Sequence, residues 1–197
     1  MATVATKPMT ADEFFEWANR SENRGKRCEL ERGEIVAMTR PGRRHGHVCA
    51  NVVRLLSNYC FARKKGYVCS NDTGIIVERG PDTVRGPDVA LFDDVQTYEE
   101  LEITWGDTLP LVTFEVLSPN DTMGHVMVRV GEQLRAGIKL VCVIDPEARN
   151  VTVHRPGVEP YVLAEQQEFI VEDILPGFRC RVADFFALPG ERKDSNS

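Results

Sequence analysis

Several absences bound the reading. No apolar run in the 197 residues approaches the ~20 that a membrane-crossing helix needs, so no membrane span is expected. Met1 to Pro8 lacks the apolar stretch of a signal peptide, and a cytoplasmic protein is expected. Six cysteines stand at 28, 49, 60, 69, 142 and 180, but none forms a CxxC pair and the spacings fit no zinc module. Most fall in apolar segments, which reads as buried thiols in a reducing compartment. There is no GxxxxGK or GxGxxG segment, so the sequence offers no cradle for a nucleoside triphosphate. Internal repeats and low-complexity stretches are missing as well.

One further absence is local. From Ile35 to Asn71 there is no Asp or Glu, but there are Arg40, Arg43, Arg44, Arg54, Arg63, Lys64 and Lys65. That segment carries a formal +7 in a chain whose net charge is −6, so the remainder carries −13. The overall sign argues against indiscriminate nucleic-acid binding. A basic segment on an acidic body suits a local phosphate-binding face, with Arg43, Arg44, His45 and Arg54 as candidate contacts. It equally suits a solvated helix face with a charged end.

What is present is ordinary for one globular domain: 42% hydrophobic and 27% charged residues. We place that domain at residues 1–188, with a polar disordered tail at 189–197. Thr10-Ala11-Asp12-Glu13 is a capping-box pattern and predicts a short helix over about 10–20. Residues 27–38 read as two strands turning at Arg32-Gly33, and Pro41-Gly42 breaks them. Val48, Val52, Leu55, Leu56 and Tyr59 make one apolar stripe on a helix over 45–63. Strands are predicted at 67–70, 74–78 and 87–92. Leu109 to Leu117 is nearly continuous in apolar residues, the mark of a strand buried on both faces. A helix over 122–136 ends at Gly137, followed by a buried strand at 138–144. A hairpin at 151–154 and 161–164 and a short helix at 182–186 close the chain, with His154 on a strand surface. The order implies a mixed sheet flanked by helices, in the α/β or α+β class.

Two carboxylates stand out. Asp88 opens an apolar strand and Glu115 lies inside one. A carboxylate within Leu111-Val112-Thr113-Phe114-Glu115-Val116-Leu117 is costly to bury without compensation. Alone, a buried Glu is more often salt-bridged than metal-bound. Paired with a Pro-Asp strand start, it points to a hard divalent cation, for which the backbone carbonyl of Val116 can supply a third oxygen. His45, His47 and Cys49 crowd one helix start, where His45 suits a structural or phosphate contact better than a Cys–His nucleophile.

The order of segments is more specific. It runs ELERGEIVAM (29–38), PGRRHGH (41–47), VRGPDVALF (84–92), LVTFEVLSPND (111–121), RAGIKLVCVIDP (135–146) and VTVHR (151–155). Over residues 10–187 it resembles a family of restriction endonucleases abundant in cyanobacteria and planctomycetes, within the PD-(D/E)XK nuclease superfamily. The resemblance implies a restriction-endonuclease-like fold and Mg2+ (or Mn2+) dependent hydrolysis of phosphodiester bonds in DNA; cutting both strands usually takes two sites, so a homodimer is expected, although no residue demonstrates it. It makes Asp88 and Glu115 the metal-binding carboxylates. Glu29 or Glu34, of which Glu29 is favoured, completes the site. The catalytic set it implies is Asp88, Glu115, Arg129 and Glu29.

The sequence departs from the family at one place. Leu117 stands where the superfamily has its lysine. In this family that lysine comes from the next helix, whose usual Asp, Lys and Tyr are here His125, Arg129 and Gln133. The four-residue spacing puts all three on one helix face. Arg129 keeps the charge and can stabilise phosphate, but its pKa above ~12 bars it from acting as a general base. The alternatives are an active nuclease using Arg129 electrostatically, a weakened or inactive nuclease-fold module that binds nucleic acid or a protein, and a phosphoesterase for small substrates. An open basic groove would distinguish the first from the last.

Overall fold

The computed structural model describes residues 7–190, so most of the tail expected from 189 lies outside the described residues. The first helix, α1 (Ala11–Asn19), starts as its capping box predicts: Thr10 Oγ1 accepts from the Glu13 N–H at 3.2 Å, and the Thr10 N–H donates to Glu13 Oε2 at 2.8 Å. Strands β1 (Cys28–Glu31) and β2 (Glu34–Ala37) form the expected hairpin, turned by Arg32 and Gly33, both at positive φ. The long helix α2 (Arg43–Arg63) begins two residues before the expected start, and β3 (Tyr67–Ser70) follows it.

Next come β4 (Ile75–Glu78), β5 (Thr83–Arg85) and β6 (Val89–Phe92). Strand β5 was not expected: three residues are too few to show a period. The central strand β7 (Val112–Val116) is shorter than the apolar run that announced it, and all five residues are buried. Helix α3 (Met123–Ala136) ends as predicted, with Gly137 at φ 119° donating its N–H back to Gln133 and Leu134. It connects β7 to its parallel neighbour β8 (Leu140–Asp145). Strands β9 (Asn150–Arg155) and β10 (Val158–Ala164) are the expected hairpin. Two short strands beyond it, β11 (Glu168–Ile170) and β12 (Arg179–Arg181), were not expected, and the closing helix is one 3-10 turn at Val182–Phe185.

The strands form a six-stranded sheet in the order β10-β9-β8-β7-β6-β3, a four-stranded antiparallel sheet β2-β1-β5-β4, and the pair β11-β12. Only β7 and β8 run parallel in the large sheet. Side-chain alternation along β7 divides the interior. Val112, Phe114 and Val116 join the core under α2, with Val48, Val52, Leu56 and the C-terminal Phe169 and Phe185. The opposite face, under α3 and β4, holds Val126, Val130, Ile75, Val77, Val141 and Val143. A small third core seats α1 on the second sheet through Ala11, Phe14, Leu30, Ile76 and Val84. His154, expected on a strand surface, is 5% exposed, and burial lowers its pKa. The six cysteines are all free, three buried and three half-buried.

Between the end of β5 and the start of β6 the chain crosses from the small sheet to the large one in three residues, Gly86-Pro87-Asp88. Proline and the short link fix that crossing, and with it the place of Asp88.

Candidate active site

Period-two alternation turns Thr113 and Glu115 toward α3, away from the phenylalanine core. There Glu115, 6% exposed, receives two donors. Arg129 Nη2 donates to Oε2 at 3.0 Å, and Gln133 Nε2 donates to Oε1 at 2.6 Å. Gln133 is fully buried, with its own Oε1 accepting from the Thr113 hydroxyl. The expected common face of α3 therefore exists: Gln133 at its foot, Arg129 one turn up, and His125 exposed at the mouth of a cleft.

Arg129 serves a second carboxylate. Its Nη2 lies 3.2 Å from Glu29 Oε1 on β1. Glu29 also accepts from the Gly86 N–H at 2.9 Å and from Arg85 Nη1 at 3.0 Å. Of the two candidate glutamates, Glu29 is buried in the cleft and Glu34 is exposed on β2. Arg85, 3% exposed, forms a bidentate pair with Glu132 of α3 at 2.7 and 3.0 Å. Nothing in the sequence marked Arg85 and Glu132 as partners, because 47 residues separate them. A charged residue beside Gly-Pro-Asp and another on the buried side of a helix were the available signals.

Asp88 faces Glu115 from the link. Its Oδ2 accepts from the Val116 N–H at 2.7 Å and lies 3.2 Å from His45 Nε2. Parallel pairing with β8 uses the flanking Leu117 N–H, which donates to the Ile144 carbonyl at 2.9 Å. The N–H and carbonyl of Val116 therefore both face the Asp88 side, since one residue's two groups point along one strand edge. Among the described residues Asp88 Oδ1 accepts no hydrogen bond.

The electrostatics follow from this crowding. Burial pushes the Glu115 carboxyl up to about 7, Asp88 and Glu29 push the same way, and Arg129 and Gln133 pull it down. Arg129 is held further into its charged form, chiefly by Glu115 and then by Glu29 against the effect of burial. Burial lowers the His45 pKa, but the hydrogen bond and charge of Asp88 outweigh it, leaving a net rise. Arg129 Nε is buried and has no partner among the described residues.

These groups line a cleft of about 660 Å³ whose far end is walled by Phe14, Trp17 and Trp105. The tryptophans pack: Trp105 lies 4.8 Å from Phe14 between ring centroids, and Lys26 sits 5.5 Å over Trp17. Basic side chains on the cleft come from Lys26, Arg27, Arg85 and Arg129. The sequence's basic segment contributes little to it. Of Arg43, Arg44, His45 and Arg54, only His45 lines the cleft. Arg43 is exposed at the start of α2, Arg44 pairs with Glu147, and Arg54 is exposed and bonded to Asn51, whose side chain binds carbonyls near the C-terminus. A 21-residue helix displays its charges all round, which a count by segment does not reveal.

The donor set has the character of a hard-cation site: Asp88 and Glu115 carboxylates, the Val116 carbonyl, and Glu29 beside them. The sequence model of the Uma2 family, described as "Putative restriction endonuclease", matches residues 11–183. The chain belongs to the Uma2 family. Among solved structures, a "putative nuclease belonging to DUF820" from Anabaena variabilis superposes with a TM-score of 0.75 at 22% identity, covering 91% of this chain and 98% of that one. No curated protein matches. The fold of this Uma2 chain is therefore restriction-endonuclease-like, and the family points to a nuclease-like function. Among the described residues no helix is long and apolar enough to cross a membrane.

Proposed function

We propose that this chain is a metal-dependent endodeoxyribonuclease, with Mg2+ or Mn2+ held by Asp88, Glu115 and the Val116 carbonyl. The observation that supports it most is the convergence of Asp88, Glu115 and Glu29 from three separate segments, with Glu115 pushed up to about 7 by burial and, further, by the other two carboxylates. Such a cluster gains from a divalent cation, and an ion bound there lowers the pKa of water and offsets charge on the leaving oxygen. Asp88 is oriented by the Val116 N–H and His45. Glu115 is oriented by Gln133, which the Thr113 hydroxyl fixes in turn. Arg129 holds its charge permanently, so its part is to bind the phosphate and balance the carboxylates, and it moves no proton. Cutting both strands takes two such sites, so the working unit in this reading is a cytoplasmic homodimer on DNA.

Supercoiled plasmid with Mg2+ or Mn2+ is the test. Wild type is expected to cleave, and Asp88→Ala and Glu115→Gln to lose roughly 100-fold or more. Equal cleavage by wild type and Asp88→Ala would refute the proposal.

One observation favours a second reading, a nuclease-fold module without catalysis. Arg129 already bridges Glu115 and Glu29 and places a fixed positive charge among the carboxylates. Cleavage that appears only in Arg129→Lys would select this reading, and robust cleavage by wild type would remove it.

A further inference from the structure

Asp88 also belongs to a second donor set, reached through the same Oδ2 that accepts from the Val116 N–H. One turn of α2 separates His45 from Cys49, so both side chains leave the helix on the same face. The His45 Nδ1 and Cys49 Sγ are 3.5 Å apart, while His45 Nε2 is 3.2 Å from Asp88 Oδ2. One donor atom from each of the three residues lies within 4.8 Å of the others. Zinc bonds of ~2.0–2.3 Å in a tetrahedron put donors roughly 3.5 Å apart, so the imidazole, whose two nitrogens now face Cys49 and Asp88 separately, must turn to bring one nitrogen to the ion and draw the three donors in from within 4.8 Å. This set opens on a second cleft, on the α2 side of Asp88 and also lined by Ser70 and Asn71, which gives an ion a way in. Arg27 on its wall is paired with Asp72, and Arg40 is exposed to solvent.

We propose that His45, Cys49 and Asp88 form a binding site for a thiophilic divalent cation such as Zn2+, distinct from the hard-cation site. The chemistry separates the two. Thiolate and imidazole select zinc, whereas carboxylate and carbonyl oxygens select Mg2+ or Mn2+. Binding forms a sulfur–metal bond as the Cys49 thiol gives its proton to solvent, and leaves a fourth position for water. Both sites draw on Asp88, so zinc withdraws that carboxylate from the other ion. This competition, though not the zinc site itself, rests on the nuclease reading.

Co2+ titrated into chelator-stripped full-length protein at neutral pH is the direct test. Wild type is expected to develop a thiolate-to-cobalt charge-transfer band, saturating at one ion per chain and abolished by Zn2+. The band should be absent from Cys49→Ser, retained in Cys28→Ser, and shifted to at least roughly 10-fold higher Co2+ in His45→Ala. If Cys49→Ser melts early, Cys49→Ala replaces it. No band in wild type, or an undiminished band in both Cys49 variants, overturns the site. In the plasmid assay, Zn2+ should stop Mg2+-supported cleavage by wild type and be roughly 10-fold less effective against Cys49→Ser. The band is read without DNA, so a silent plasmid assay refutes the nuclease reading and leaves the zinc site standing.

Discussion

Glu115 concentrates the chemistry in one side chain, and its environment sets a pH dependence. Burial among acids makes the fold favour the protonated form, with the pKa raised from 4.5 to about 7. That preference stabilises the metal-free protein fully below 4.5 and is lost as pH rises through about 7. In chelator, wild type should therefore lose melting temperature across that window more than Glu115→Gln does, since glutamine has no charge to acquire. Parallel declines in the two proteins would show that Glu115 is not the group responsible. At this scale the sequence was informative where polarity clashed with pattern: a glutamate inside an apolar strand and an aspartate after Gly-Pro. It was silent on partners. Gln133 completes Glu115, Arg85 meets Glu132, and His154 is buried, all through contacts between distant segments or across sheet faces.

Elements were legible where they were long and punctuated. α1 with its capping box, α3 with its glycine stop, and the apolar stripe of α2 all follow from local chemistry. β5, β11 and β12 did not, because strands of three residues are set by their neighbours in the sheet. Two substitutions probe the elements. Gly137→Ala forces a side chain into a left-handed position, with Leu109 3.8 Å away in ordinary contact, so strain alone should cost about 1 kcal/mol by urea unfolding. Arg85→Met removes the staple between the small sheet and α3 and strands Glu132, while Glu29 keeps Arg129 and the Gly86 N–H, at a cost of about 3–5 kcal/mol. Adding Glu132→Leu should recover part of that loss. No recovery would mean that Glu132 is not what Arg85 neutralises.

For the whole molecule, the α/β architecture was readable from the order of elements, but its division into two sheets was not. The strands of the small sheet come from residues 28–37 and 75–85, on either side of α2, and no local pattern says they pair. The basic segment was likewise a feature of the sequence and not of one surface. The proposed homodimer belongs at this scale as well. Sedimentation velocity should show a species of twice the chain mass, and a monomer at concentrations that support cleavage would exclude a two-site unit.

The Gly86-Pro87-Asp88 crossing has a consequence for how the protein reaches its working form. Glu29 meets the Gly86 amide across 57 residues of chain, and Asp88 meets the Val116 amide across 28. Closing loops of that length costs entropy, which the contacts between the two sheets offset. The carboxylates of the proposed ion site come together only where both sheets are formed and docked, Glu29 from the small sheet and Glu115 from the large one.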